Sequence, residues 1–442
     1  MKKQETRKIE NLNKRKNIIM LRNTKGITLI ALVITIIVLI ILAGISINLI
    51  LGKNGIITKA KLAKTETEQA KQNEEIGLNE VAKYIEEMGA SGNTTNPPDN
   101  PTIEKSEIEK SRDAGTYMTE KTTLKDSNEN LIKVPEGFKI AEDSGINVTE
   151  GIVIEDSDII DGIGNNRGNQ YVWVPVGNGI KKSDGTTVDI TLGRYTFADG
   201  TNDKGTDGTV LAKGTPILKQ NAENYTQEVL INSLYKELST SRTGVASSGK
   251  DGLNTTALNL RGFIDSVKAN GGYYIARYEA SYGTDKKANS KVSNSYSETT
   301  VPTTEGTLWN FITQINAATA SRNLYTAVSS DLINGYAWNT AIVYIQNFSG
   351  DTDYSRQDAK SINSSLTNTG VNRDEVCKIN DMASNTMELT TEYSTDAGSS
   401  IANPCTDMGG IYDGGHTYTS YRGSYSATNN SFNRSFRVTL YM

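Results

Sequence analysis

The sequence predicts an α+β protein: a long N-terminal transmembrane and stalk helix followed by an irregular, loop-rich head. Three observations carry that reading. From Ile27 to Leu51 no residue is charged, and only Thr28, Thr35, Ser46 and Asn48 are polar. From Ile56 to Met88 Ala, Glu, Lys and Gln dominate, with no proline. Beyond Gly115, short apolar or alternating runs are separated by Gly, Asn and Asp clusters, and Tyr (21) outnumbers Phe (7), a usage that favours strands and surface loops.

Taken in order, residues 1–26 form a basic leader with nine Lys/Arg against Glu5 and Glu10. Residues 27–51 form the expected transmembrane helix; at 1.5 Å per residue it spans about 37 Å, enough for a bilayer core. The basic leader should stay inside, which makes the protein a single-pass component of the cytoplasmic membrane with its C-terminal head extracellular. Residues 52–88 read as a helical stalk, with Leu78, Val81, Tyr84, Ile85 and Met88 at three- and four-residue spacing. Residues 89–114 form a Pro/Asn-rich linker around Asn96-Pro97-Pro98-Asp99-Asn100-Pro101, with a short charged helix at Thr102–Arg112. The head, 115–442, should hold strands at Leu131–Pro135, Gly151–Ile154, Tyr171–Val176, Gly272–Tyr278 and Ser435–Tyr441. Helices are expected at Gln227–Leu238 and Asn339–Phe348, and Asp203–Asn221 and Lys286–Thr304 read as loop insertions.

Charge and residue counts exclude several functions. The formal net charge is −5, and removing the leader's surplus of seven leaves −12 on the rest; such a body repels phosphate backbones, so nucleic acid is not an expected partner. His416 is the only histidine, and Cys377 and Cys405 are the only cysteines, which excludes multi-His and four-cysteine zinc sites. A Ser-His-Asp triad would have to use His416, which lies in the glycine-flanked stretch Asp413-Gly414-Gly415-His416 and reads instead as a solvent-exposed loop histidine. Outside the cell a Cys377–Cys405 disulfide would stabilise by about 3 kcal/mol through loop closure; two separate buried thiols are the alternative.

The junction Lys25-Gly26-Ile27-Thr28-Leu29-Ile30 resembles the prepilin cleavage and methylation motif of type IV pilins and pseudopilins. The resemblance implies cleavage after Gly26 by a prepilin peptidase, methylation of Ile27, and association with other pilin-like subunits, up to a surface filament. Ala31 departs from the family, which carries a glutamate there to neutralise a neighbouring subunit's terminal amine. An unpaired buried ammonium is costly, so the departure argues against a conventional fibre and for a specialised subunit. A plain single-pass anchor in which Gly26 is incidental is the other reading.

Five head segments, in order, resemble the formylglycine-generating-enzyme (sulfatase-modifying factor) family, whose fold is a variant of the C-type lectin fold. They are Tyr171–Val176, Gly272–Glu279, Ala337–Ile342, Asn380–Leu389, and the closing pair Tyr421–Tyr425 with Ser435–Val438. Active members carry two copper-binding thiols after the Gly-Ser-aromatic step; here those positions fall at Ala427 and Phe432, so the resemblance implies no such activity and no required cofactor. It also implies a structural calcium site near Asn385 and Glu388, against which stands a simple salt bridge or a water-facing glutamate. Tyr412, Tyr418, Tyr421 and Tyr425, set among small polar residues, suit a ligand face, or else fill a Phe-poor core. The expected function is a membrane-anchored, surface-displayed pilin-like protein whose non-catalytic head mediates recognition or adhesion of an extracellular ligand. A minor pilin or pseudopilin of a pilus or secretion assembly is the alternative, and an enzyme on the same fold the third.

Overall fold

Among the described residues, Ser106 opens the first helix for a reason visible in its sequence. In the computed structural model, which describes residues 104–157, 168–222, 260–371, 374–393, 405–413 and 417–442, the Ser106 side chain accepts from the Glu109 backbone and the Glu109 carboxylate accepts from the Ser106 N–H. This capping box starts α1 (Glu107–Ala114), and Gly115, left-handed at φ 59°, ends it. Ile108 of α1 is fully buried, so the helix belongs to the compact unit Ile103–Met442.

Along the chain there follow a hairpin of β1 (Thr122–Lys125) and β2 (Leu131–Val134), then β3 (Phe138–Ile140), β4 (Val153–Asp156) and β5 (Gln170–Pro175). Two further hairpins pair β6 (Gly177–Lys181) with β7 (Thr187–Ile190) and β8 (Gly193–Phe197) with β9 (Pro216–Asn221). After α2 (Leu260–Asn270) come β10 (Gly272–Ala276), the small hairpin β11 (Ser281–Tyr282) and β12 (Ala288–Asn289), and α3 (Gln314–Ser321). Next are β13 (Ser329–Leu332), α4 (Gly335–Phe348) and α5 (Ala359–Ile362), then a tight hairpin of β14 (Glu375–Val376) and β15 (Ile379–Asn380). The last strands are β16 (Met387–Tyr393), β17 (Cys405–Met408), β18 (Arg422–Tyr425), β19 (Arg434–Phe436) and β20 (Val438–Tyr441).

Two sheets organise these strands. The larger runs β13-β20-β10-β5-β4-β3, every neighbour antiparallel. Its central strands β10 and β20 are buried at every position, as continuous apolar runs should be when both faces are covered. Helix α4 is buried almost all round, carries Trp338 into the core, and is capped by Asn334, whose side chain accepts from Ala337 N. The smaller sheet runs β18-β17-β16-β19, with β16 and β19 parallel. One residue separates β19 from β20, and it is Arg437, whose side chain is fully buried. It donates Nε to both oxygens of Glu388 at 3.1 Å, Nη2 to Glu388 at 2.6 Å and to Asn380 O at 2.7 Å, and Nη1 to Ala276 O at 2.8 Å. One guanidinium thus ties β16 of one sheet to β10 of the other.

Two expectations are corrected. The α+β architecture led by a long transmembrane and stalk helix gives way to a mixed structure made mostly of sheet, with five α-helices among the described residues. Among the same residues no helix is long and apolar enough to cross a membrane, and the longest, α4, has 14 residues. The leader 1–26, the segment 27–51 and the stalk 52–88 lie outside the described residues, and the described helices give no support to the single-pass membrane and surface localisation expected from them. The reason for the sheet content is local: strands of two to seven residues are closed by turns that Gly, Asn and Asp permit. The expected helix Gln227–Leu238 also lies outside the described residues. Part of the supposed insertion Asp203–Asn221 is β9, paired with β8.

The β14–β15 turn places Cys377 (φ 49°) and Lys378 (φ 64°) in the left-handed region that favours Gly and Asn. Lys378→Gly should therefore stabilise the protein by about 1 kcal/mol, read as a higher urea midpoint at unchanged slope. A lower midpoint would show that the turn is not strained.

Candidate functional site

Register alone assembles the site. Met387 pairs with Arg434 across β16 and β19, and Asp407 pairs with Gly423 across β17 and β18. These four residues share one face of the smaller sheet and, with Ile411, Asp413, Thr417, Tyr421, Ser424 and Asn433, line a cleft of about 450 Å³. That size lies within the range of roughly 300–1,000 Å³ usual for small-ligand sites.

Asp407 is fully buried at the base. Its Oδ2 accepts from Arg434 Nε at 2.9 Å, while its Oδ1 is buried with no hydrogen-bond partner. Burial pushes the Asp407 carboxyl above the usual range, against the pull of Arg434. The Arg434 guanidinium lies over the Tyr425 ring, 4.3 Å from its centroid, and gives Nη1 to Asn433 Oδ1 at 2.6 Å. Its Nη2 meets the Met387 thioether at 4.0 Å, a weak acceptor. Asn433 in turn donates to Asp413 Oδ2 at 3.4 Å. The cleft therefore presents a carboxylate acceptor and a guanidinium donor already held by neighbours.

The four tyrosines are separated in role. Tyr421 lines the cleft. Tyr418 packs edge-on against Tyr421, with centroids 5.8 Å apart, and carries the Arg356 guanidinium at 3.9 Å from its own centroid. Tyr425 braces Arg434. Tyr412 is buried in a small core with Leu308, Leu366, Met387 and Ile411, and its hydroxyl donates to Glu298 at 3.3 Å.

The residues singled out for calcium are committed elsewhere. Glu388 faces Arg437, and Asn385, held at φ 69°, donates to Glu279 Oε2 at 2.5 Å and accepts from Thr367 N at 3.0 Å. Among the described residues no group of three or more His, Cys, Asp or Glu side chains could hold a metal ion. Residues 405–408 form strand β17, so their backbone carbonyls belong to a sheet and not to a loop. Nor are the two cysteines joined. Cys377 is unbridged, with its sulfur 3.8 Å from Thr149 O and burial pushing its pKa up to about 12. Cys405 opens β17 opposite Tyr393 and Tyr425. Ala427 is buried, and Phe432 packs near Phe311 at 6.3 Å between centroids. Gly26, Ile27 and His416 lie outside the described residues.

Asp407, Gly423 and Arg434 were not expected as a set. The signal available was an aspartate inside the strand Cys405-Thr406-Asp407-Met408, where an apolar residue would be ordinary. No family model and no curated protein matches the chain. Among solved structures, one described as the crystal structure of CarF is similar with a TM-score of 0.29 and 14% identity, over 39% of this chain and 87% of that one, a likeness too low to carry an argument.

Proposed function

We propose that this unit is a non-catalytic recognition domain and that the cleft on the smaller sheet is its ligand site. The observation that carries the reading is the unpartnered oxygen of a fully buried aspartate at the base of a cleft. A buried polar atom left without a partner costs about 1–3 kcal/mol, and a ligand that supplied the missing bond would recover it. Tyr421 at the mouth, braced by Tyr418, adds a rigid surface of the kind that recognition loops use. The family resemblance points the same way: Arg437, Glu388, Ala276 and Asn380, from three of its segments, meet in one hydrogen-bonded centre behind the cleft, while its thiol positions hold Ala427 and Phe432.

The test is a screen of the full chain against peptide and carbohydrate arrays, run with wild type and Tyr421→Ala. Removing the ring should weaken the bound class about tenfold or more, with the melting temperature nearly unchanged because Tyr421 is only partly buried. Equal signals from both proteins would remove the cleft as the site.

A further inference from the structure

We propose that the group this cleft takes is an uncharged primary carboxamide, the side-chain group of Asn or Gln, with its N–H on Asp407 Oδ1 and its C=O toward the Arg434 guanidinium. The inference rests on the recognition reading above and names the chemistry of the same site.

The first argument is Gly423. Its backbone is not in the left-handed region, so conformation does not demand glycine there. Space does: a Cβ at this position would overlap Asp407 Oδ1, with the Met387 methyl 3.1 Å away. A Cβ here would close on the one unpartnered oxygen of a buried carboxylate, and glycine keeps that approach unblocked for a donor. The second argument is the one-armed ion pair. Arg434 uses Nε on Asp407 and Nη1 on Asn433, but Nη2 has the poor partner Met387 Sδ. A planar carboxylate and a planar guanidinium thus each hold one arm in reserve, an acceptor and a donor. A primary carboxamide is planar and carries N–H and C=O on one edge, so it answers both.

Charge selects against the alternatives. An incoming ammonium would be drawn by Asp413, but it would meet the guanidinium already paired with Asp407 and has no acceptor to offer Arg434 Nη2. An incoming carboxylate would face Asp407 and Asp413 with only Arg434 to offset them. A neutral group avoids both penalties.

The experiment is ligand-observed NMR titration of the full chain with N-acetyl-asparagine methylamide. The comparison probes are the isosteric aspartate compound, the lysine compound and methyl glucoside. The asparagine probe should bind, and the aspartate and lysine probes should bind about tenfold more weakly or worse. Gly423→Ala should abolish asparagine binding; its melting curve shows whether it folds, and the wild-type probe series stands without it. Equal or tighter binding of the acid, the amine or the glucoside overturns the carboxamide inference and leaves the cleft standing. So does failure of all four probes when the array ligand is still lost in Tyr421→Ala. Array binding that ignores Tyr421→Ala removes the recognition reading itself.

Discussion

Arg437→Met should destabilise the protein by about 3–5 kcal/mol, a large share of the roughly 5–15 kcal/mol that holds a typical domain folded. The substitution keeps the volume of the side chain but strands Glu388, which is fully buried and has the guanidinium as its charge partner. It also removes the donors to Ala276 O and Asn380 O. Most of the loss should come from the orphaned carboxylate, so adding Glu388→Gln should return part of it. Urea unfolding of the three proteins measures this; a loss below about 1 kcal/mol for Arg437→Met would mean the clasp between the sheets contributes little.

A second large effect is expected from pH. Burial raises Asp156 and Asp374 from 3.8 to about 7, with Asp381 adding to the shift at Asp374. A raised carboxyl keeps its proton in the folded protein between about pH 4 and pH 7, where the unfolded chain has released it. Folding is then favoured at the lower end of that window, and stability falls as pH rises through it. Three units at about 1.36 kcal/mol each set an upper bound of about 4 kcal/mol per group. Glu392 works in the opposite sense: burial raises it, but Arg194 and Arg422 together hold it below its ordinary value, so its contribution is lost as pH falls below about 4.5. The melting temperature should therefore peak at about pH 4–4.5 and decline up to about pH 7. Asp374→Asn should flatten the decline, because the Tyr354 hydroxyl that now donates to this side chain can turn and accept. A melting temperature that rises from about pH 5 to about pH 7 would contradict the assignment.

Much of the fold was legible where one physical signal dominated. Helix α4 could be read from a long apolar run, although it begins at Gly335, ahead of the expected Asn339, because Asn334 supplies the cap. Strands β5 and β10 could be read as unbroken apolar segments. The run Ser435–Tyr441 was expected as one strand, yet Arg437 divides it between two sheets. Alternation cannot show this, since a strand that changes sheets keeps its period. Strand β9 was hidden because none of its residues is buried and it carries little pattern. At the site, Tyr421 was visible as a residue type, but Tyr412 was equally visible and belongs to the core. Asp407 matters because register sets it opposite Gly423, and register is a property of pairs that a single strand does not display.

The position of β20 reaches beyond the finished structure. It lies between β13 and β10, with strands on both sides, although it is formed by residues 438–441. As the chain emerges from the ribosome, β10 and β13 must wait with bare edges until those residues appear. The larger sheet cannot close progressively during synthesis. Open strand edges held that long invite pairing with other nascent chains, so yield in the cell should depend on chaperone cover and slow growth more than native stability alone would suggest.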